Sequence, residues 1–287
     1  MIIVHEPAEV ARAATGPITF VPTMGALHAG HASLVSLAAV GSGTVVVSVF
    51  VNPSQFGPGE DFGRYPRDLA ADALLAEQAG ADILFAPTVE TVYPVGFATT
   101  VDPGPIAMDL CGRTRPGHFA GVATVVTRLY GLVQPQRAIF GRKDYQQLVV
   151  LRQTAVDLAL GVDVVGAPTV RDADGLALSS RNAFLSSDER SRALALPACL
   201  AAIAAAYDAG EREGTHLEAV GREHLAGLAV EYLELRAADR LGPWAPDRLG
   251  VALVAARVGT TRLIDNILLD PAQPGSALAS SFPKEPS

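Results

Sequence analysis

The chain is poor in the residues that cross-link, span membranes or coat nucleic acid. Its 287 residues include 2 cysteines, Cys111 and Cys199. That is too few for a disulfide framework, and their spacing suits no metal site, so both read as free structural thiols of a reducing compartment. No charged segment followed by an apolar run opens the sequence, and no apolar stretch reaches the roughly 18 residues of a membrane helix. Secretion and membrane spanning are not expected, and the cytoplasm is the expected location. Basic residues are the minority: 22 Lys and Arg against 30 Asp and Glu give a formal net charge of −8. A broad basic face for nucleic acid is therefore not expected, and work on phosphates falls to a few local cations.

Apolar residues make up 49% of the chain, enough for a large core and for two domains. Strand-like apolar runs at 18–21, 44–51, 82–86, 137–140 and 162–165 alternate with helical segments, which argues a parallel sheet covered by helices. Beyond residue 170 the order changes: helices over 188–209 and 216–228 precede the consecutive strands EYLELR, VALVAARVG and TRLIDNILL. The expected fold is α/β, a Rossmann-like parallel sheet with flanking helices plus a smaller C-terminal α+β lid domain. The division expected is 1–170 for the Rossmann-like domain, 171–270 for the lid, a hinge near 168–187, and a disordered tail over 271–287, rich in Pro and Ser.

The segment PTMGALHAGH follows the first internal strand. Pro22 is expected to end that strand, because proline cannot donate to a ladder. Gly25 and Gly30 allow close approach of backbone to a ligand, and a helix is expected to begin near His31 and run to Val40. A helix N-terminus presents N–H groups and the positive end of its dipole, a natural seat for polyphosphate. His28 and His31, three apart, can donate to phosphate oxygens as charge builds on a leaving group. A metal-binding pair and a structural pair stay open as alternatives.

Three further segments place polar groups at the ends of expected elements. The strand TVVVSVFV runs into Asn52 and Gln55, whose amides can donate to a carboxylate and accept from a hydroxyl. The strand at 137–140 runs into Gly141, Arg142, Lys143 and Asp144, with Gln147 one turn into the next helix; Lys143 suits phosphate, and Asp144 suits ribose hydroxyls or hydrated magnesium. Ser179, Ser180 and Arg181 form a phosphate clamp in a loop, although the Ser-Ser pair before Asp188 and Glu189 also resembles a helix cap. In RPGHFAGVATVVTRL, residues 122–132 read as a buried helix. Arg115 and His118 lie at its positive end, facing the cleft or anchoring a loop or subunit contact.

PTMGALHAGH, VSVFVNPSQFG, RPGHFAGVATVVTRL, GRKDYQQL and LSSRN, in this order and spacing, resemble the pantothenate synthetase (pantoate–β-alanine ligase) family of the HxGH nucleotidyltransferase superfamily. The resemblance covers the chain to about residue 270. It implies an ATP-dependent ligase that condenses (R)-pantoate with β-alanine through a pantoyl adenylate, releasing pyrophosphate and AMP in pantothenate biosynthesis. It implies ATP contacts from Met24, Gly25, Ala26, Leu27, His28, Ala29, Gly30 and His31, from Gly141, Arg142, Lys143 and Asp144, and from Val170, Leu178, Ser179, Ser180 and Arg181. Of these, His31, His28, Lys143, Ser179 and Arg181 are the expected catalytic groups, with His31 at the position of the proton donor. Gln55 and Gln147 are implied for pantoate, Gln55 also bordering β-alanine. Asn52 and Tyr65 are less direct substrate contacts, and Asp72 is an implied contact to Mg2+ carried with ATP. The family also implies a homodimer, and the apolar character of TVVVSVFV places that strand near the expected interface. Two positions depart from it: Leu178 stands where methionine is usual, and Arg142 where glutamate is common. The alternatives weighed are a relative that moves AMP or CMP onto a phosphate, which would need more cations than the Gln55 and Gln147 pair supplies, and a silent nucleotide binder.

Overall fold

The computed structural model describes residues 1–57 and 61–273. Residues 274–287 of the expected tail lie outside the described residues, and 271–273 form a turn in which the Gln273 N–H donates to the Asp270 carbonyl at 3.2 Å. Among the described residues no helix is long and apolar enough to cross a membrane. The chain divides into two units.

The first unit spans Met1–Gly141 and Gln146–Ala167. Strands β1 (Ile2–Val4), β2 (Ile18–Thr23), β3 (Thr44–Val49), β4 (Ile83–Phe85), β5 (Arg137–Gly141) and β6 (Asp163–Ala167) form one sheet in the order β1-β4-β3-β2-β5-β6, and every pair in it is parallel. Helices α1 (Pro7–Ala13), α2 (Ala29–Ala39), α3 (Leu69–Gln78), α4 (Val89–Val92), α5 (Cys111–Thr114), α6 (His118–Val133) and α7 (Tyr145–Asp157) connect them. Alternation along β3 sends Val46 to one apolar cluster, with Phe20, Val122, Val126, Leu129 and Leu151, and sends Val45 and Val47 to another, with Val21, Leu34, Val35 and Ala76. Such two-sided burial is what a continuous β-branched run in a parallel strand requires. The α/β architecture thus agrees with the alternation in the sequence.

Several boundaries differ from expectation for local reasons. β1 lies on the edge of the sheet and is three residues long, with Ile2 and Ile3 exposed, so it gives little periodic signal. β2 continues through Pro22, which pairs in register with Ser48. The β2–β5 ladder covers only Thr19 and Phe20, so a residue without N–H at 22 interrupts nothing on that side. α6 is longer than the expected 122–132 and stops at Gln134, in a left-handed conformation (φ 54°) just before Pro135.

The second unit comprises Arg142–Tyr145 and the chain from Pro168 onward. It contains helices α8 (Ser187–Ala193), α9 (Ala195–Asp208) and α10 (Gly214–Glu223) and the antiparallel sheet β7 (Ala229–Ala237), β8 (Gly250–Val258) and β9 (Thr261–Leu269). The single helix expected over 188–209 is two, because Pro197 has no N–H for the Ala193 carbonyl and clashes with a continued turn there. The break falls at Leu194, which leaves Pro197 in the first turn of α9. α10 ends at Glu223, short of the expected 228 and ahead of the turn at Gly227 (φ 81°). The faces of α9, β8 and β9 meet in a core of Leu196, Cys199, Leu200, Ile203, Val254 and Ile267.

Burial in that core pushes the Cys199 thiol up to about 12. At pH 8 it stays protonated and unreactive while the protein is folded. Iodoacetamide at pH 8, read by peptide mass spectrometry, is expected to leave Cys199 unmodified until denaturant is added. Labelling of Cys199 in the native protein at the rate of a free thiol would contradict the packing.

Candidate active site

From β2 the sheet grows to β3 and β4 on one side and to β5 and β6 on the other, so the order reverses beside β2. In open α/β sheets ligands bind beyond the carboxyl ends of strands at such a reversal. The connection there is the loop from Met24 to His28, which α2 follows at Ala29. Its backbone is unusual: Gly25 has φ 85° and Ala26, a non-glycine residue, φ 51°. One carboxylate holds this shape. The Ala26 N–H donates to Asp72 Oδ2 at 3.1 Å and the Leu27 N–H to Asp72 Oδ1 at 2.7 Å. A Cβ at Gly25 would stand 2.8 Å from Asp72 Oδ2, so only glycine fits between the loop and its anchor. The magnesium contact expected of Asp72 is corrected accordingly: the residue is 3% exposed and both its carboxylate oxygens accept backbone N–H groups. Burial raises its proton affinity, against the pull of the Leu27 and Ala26 donors.

The helix starts earlier than expected, because His28 itself is the cap of α2. The Gly30 N–H donates to His28 Nδ1 at 3.1 Å, and the His28 N–H to His31 Nδ1 at 3.3 Å. The two rings lie 4.2 Å apart between centroids. A ring nitrogen that accepts an N–H bears no hydrogen, so each neutral imidazole carries its hydrogen on Nε2. The pair is therefore a set of two Nε2 donors fixed at the first turn of a helix. Among the described residues no three His, Cys, Asp or Glu side chains converge to hold a metal.

At the end of β3 the chain makes a 3-10 turn, Pro53–Gln55. Gln55 is buried; its Nε2 lies 3.0 Å from Met24 Sδ, and its Oε1 accepts from Asn52 Nδ2 at 3.0 Å. Asn52, expected as a substrate contact, supports Gln55 instead. Its second amide hydrogen goes to the Gly121 carbonyl (3.2 Å), and its Oδ1 accepts from Ser54 and from the Tyr93 hydroxyl. At 1% exposure it has nothing left for a ligand. Gly121 on α6 lets the turn approach this closely, since a Cβ there would lie 2.4 Å from the Ser54 carbonyl. His118 Nδ1 donates to the Gln55 carbonyl at 3.0 Å, and its Nε2 accepts from Arg115 Nη1 at 2.8 Å. Arg115 and His118 thus take the loop-anchoring alternative. Tyr65 is buried with its hydroxyl 3.5 Å from the Gly25 carbonyl.

The two glutamines that open α7 differ. Gln146, which sequence reasoning passed over, is 4% exposed; it accepts from the Cys111 N–H and donates to the Ile106 and Asp109 carbonyls. Gln147 is half-buried, with none of the hydrogen bonds found among the described residues involving its amide.

In the second unit, the Arg142–Asp144 turn is held from both ends. Asn266 Nδ2 donates to the Arg142 and Lys143 carbonyls at 2.9 and 2.8 Å, and the Tyr145 hydroxyl donates to the Ala238 carbonyl at 3.1 Å. Lys143 Nζ stands 3.8 Å from Asp144 Oδ2. Residues 170–178 form a tight hairpin: the Leu178 N–H donates to the Val170 carbonyl, and Arg171 pairs with Ala177. Ser179 then caps a 3-10 turn, Ser180–Phe184, its hydroxyl accepting the Arg181 N–H at 3.2 Å. The repeated Leu-Ser-Ser at 185–187 is the helix cap, where Ser186 and Glu189 bond reciprocally. The Arg142–Tyr145 turn, Asp265 and Asn266 carry no sequence signal of their joint role, because Asn266 lies 124 and 123 positions from its partners Arg142 and Lys143.

Comparison with known proteins agrees with this geometry. A profile described as pantoate-beta-alanine ligase matches residues 3–268. The chain is 53% identical over 274 residues to a pantothenate synthetase of Thiobacillus denitrificans, covering 93% of this chain and 96% of that one. It is 54% identical over 258 residues to one of Pseudomonas fluorescens, covering 88% and 90%. The crystal structure of pantothenate synthetase from Thermus thermophilus is similar with a TM-score of 0.89 at 48% identity, over 94% of this chain and 100% of that one. A pantoate-beta-alanine ligase from Francisella tularensis, complexed with beta-gamma ATP and beta-alanine, is similar with a TM-score of 0.76 at 32% identity, over 93% and 97%. With its parallel sheet, its HxGH loop at the strand reversal and a profile match over nearly its whole described length, the chain belongs to the pantoate–β-alanine ligase family.

Proposed function

We propose that this protein condenses (R)-pantoate with β-alanine at the expense of ATP, through a pantoyl adenylate, giving pantothenate, AMP and pyrophosphate. The observation that carries the reading is the Asp72-anchored loop with two Nε2 donors at the sheet's reversal point. The pantoate carboxylate, with an ordinary pKa near 4, is ionised at neutral pH and needs no general base. It attacks the α-phosphorus of ATP, and the bond to pyrophosphate breaks. The protein's task is to align the reactants and to offset charge on the leaving group.

In this reading ATP is met by residues Met24 to His31, by Gly141, Arg142, Lys143 and Asp144, and by Val170, Leu178, Ser179, Ser180 and Arg181. His28 and His31 donate through Nε2, and His31 is the proton donor. Lys143 supplies a point charge, Arg181 a planar fork, and the serines hydroxyl donors. Gln55 and Gln147 hold pantoate; Tyr65 closes the pocket near Gly25. Mg2+ enters on the nucleotide and neutralises phosphate charge. In the second step the neutral amine of β-alanine attacks the acyl carbon and AMP leaves. The reading includes a cytoplasmic homodimer, as the resemblance implies.

Incubation of the purified protein with ATP, Mg2+ and pantoate is expected to release pyrophosphate, with AMP and pantothenate appearing in solution only when β-alanine is added. Mass spectrometry follows the products, and light scattering of the active fraction is expected to show a dimer. No pantoate-dependent pyrophosphate would overturn the reading.

The loop anchor gives a second expectation. Asp72→Ala leaves the Ala26 and Leu27 N–H groups without their acceptor, and hydrogen bonds to a charged group contribute about 1.5–3 kcal/mol each. Allowing for relaxation of the loop, kcat/KM for ATP is expected to fall about 10- to 100-fold with circular dichroism unchanged. A variant with undiminished kcat/KM for ATP would show that the loop needs no anchor.

A further inference from the structure

Strand β9 reads TRLIDNILL, and its two central polar residues are buried: Asp265 is 3% and Asn266 5% exposed. Leu263, Ile267 and Leu269 of the same strand belong to the apolar core. A charge and an amide buried in such a strand are costly unless they are fully bonded. Both are bonded, and to the two segments assigned above to ATP.

Asp265 forms a two-pronged pair with Arg171: Nη1 to Oδ2 at 2.6 Å and Nη2 to Oδ1 at 3.0 Å, with the Arg171 and Asp265 side chains 6% and 2% exposed. Arg171 Nη1 also donates to the Gly175 carbonyl at 3.1 Å, closing the hairpin over residues 170–178 that leads directly into Ser179. Asp265 Oδ1 accepts the Asn266 N–H at 2.8 Å, which ties the Asp265 side chain to the backbone of its neighbour. Asn266 spends both amide hydrogens on consecutive carbonyls, those of Arg142 and Lys143. Adjacent side chains of a strand point to opposite faces, so one dipeptide fixes two separate segments. Stability alone is a weak reason for this arrangement, because buried ion pairs are often replaceable by apolar residues without loss.

We propose that Asp265 and Asn266 are positioning residues for the nucleotide. Asn266 sets the place of Lys143 through its carbonyl, and Asp265 sets the Ser179–Arg181 turn through Arg171. The inference rests on the reading that these segments hold ATP.

The test measures ATP affinity by titration calorimetry and pantoate-dependent pyrophosphate release, for the wild type, Asn266→Ala and a packing control, Ile267→Val, at a fully buried position of the same strand. Loss of two hydrogen bonds is expected to weaken ATP binding about tenfold in Asn266→Ala, with KM for pantoate unchanged. Ile267→Val is expected to lower the melting midpoint and leave ATP affinity alone. Asn266→Ser, which keeps a short donor, is read in the same way if the alanine variant does not fold, with a smaller loss expected. Wild-type ATP affinity in both Asn266 variants, an equal loss in Ile267→Val, or a wild type that binds no ATP would overturn the proposal. A wild type that binds ATP but releases no pyrophosphate with pantoate would refute the ligase reading, while the loss in Asn266→Ala would still support the positioning role.

Discussion

A buried carboxylate holding two backbone N–H groups is the constraint on which the first unit's chemistry depends. Asp72 sits in the first turn of α3, yet its oxygens reach the loop 45 and 46 positions earlier in the chain. Its two bonds keep Ala26 in a left-handed conformation and Leu27 turned toward the helix start. That conformation brings His28 to the cap of α2, and the cap in turn fixes both imidazoles as Nε2 donors. Burial opposes the charge on Asp72, so the anchor stands on the two N–H bonds that compensate it.

The same principle recurs elsewhere: fully buried polar groups hold in place the groups that the proposed function assigns to the substrates. Asn52 spends every donor and acceptor on Gln55, Gly121, Ser54 and Tyr93. Gln146 is similarly committed, whereas its half-buried neighbour Gln147 is the one the proposed reading assigns to pantoate. In the second unit Asp265 and Asn266 do this for the Arg142–Asp144 turn and the hairpin before Ser179. Such preorganisation suits a reaction whose nucleophile is already ionised and whose barrier lies in alignment and charge.

Much of this was legible in the sequence, because periodicity reports burial and the HxGH loop is contiguous. The β-branched run at Thr44–Val49 and the alternation of strands and helices carry the parallel sheet directly. The short edge strand Ile2–Val4 escaped, since three residues, two of them exposed, make no period. The break at Leu194 needed the consequence of Pro197 for the Ala193 carbonyl to be followed through. The division of labour among polar residues was not legible. A buried Asn52 and a half-buried Gln147 look equally suited to a ligand until their partners, up to 69 positions away in the case of Gly121, are known. Asp72 and Asp265 are of the same kind: their bonds are tertiary, and neither composition nor spacing announces them.

Everything built around the anchored loop serves one step, in which the pantoate carboxylate, not water or a hydroxyl, attacks the α-phosphorus of ATP. The most direct measurement starts from pantoate labelled with oxygen-18 in its carboxylate and follows the label after complete turnover with ATP and β-alanine. One labelled oxygen is expected to leave on AMP and one to stay in the new amide carbonyl, because the bridging oxygen remains on phosphorus when the amine attacks carbon. AMP free of the label, with pantothenate formed, would contradict that route.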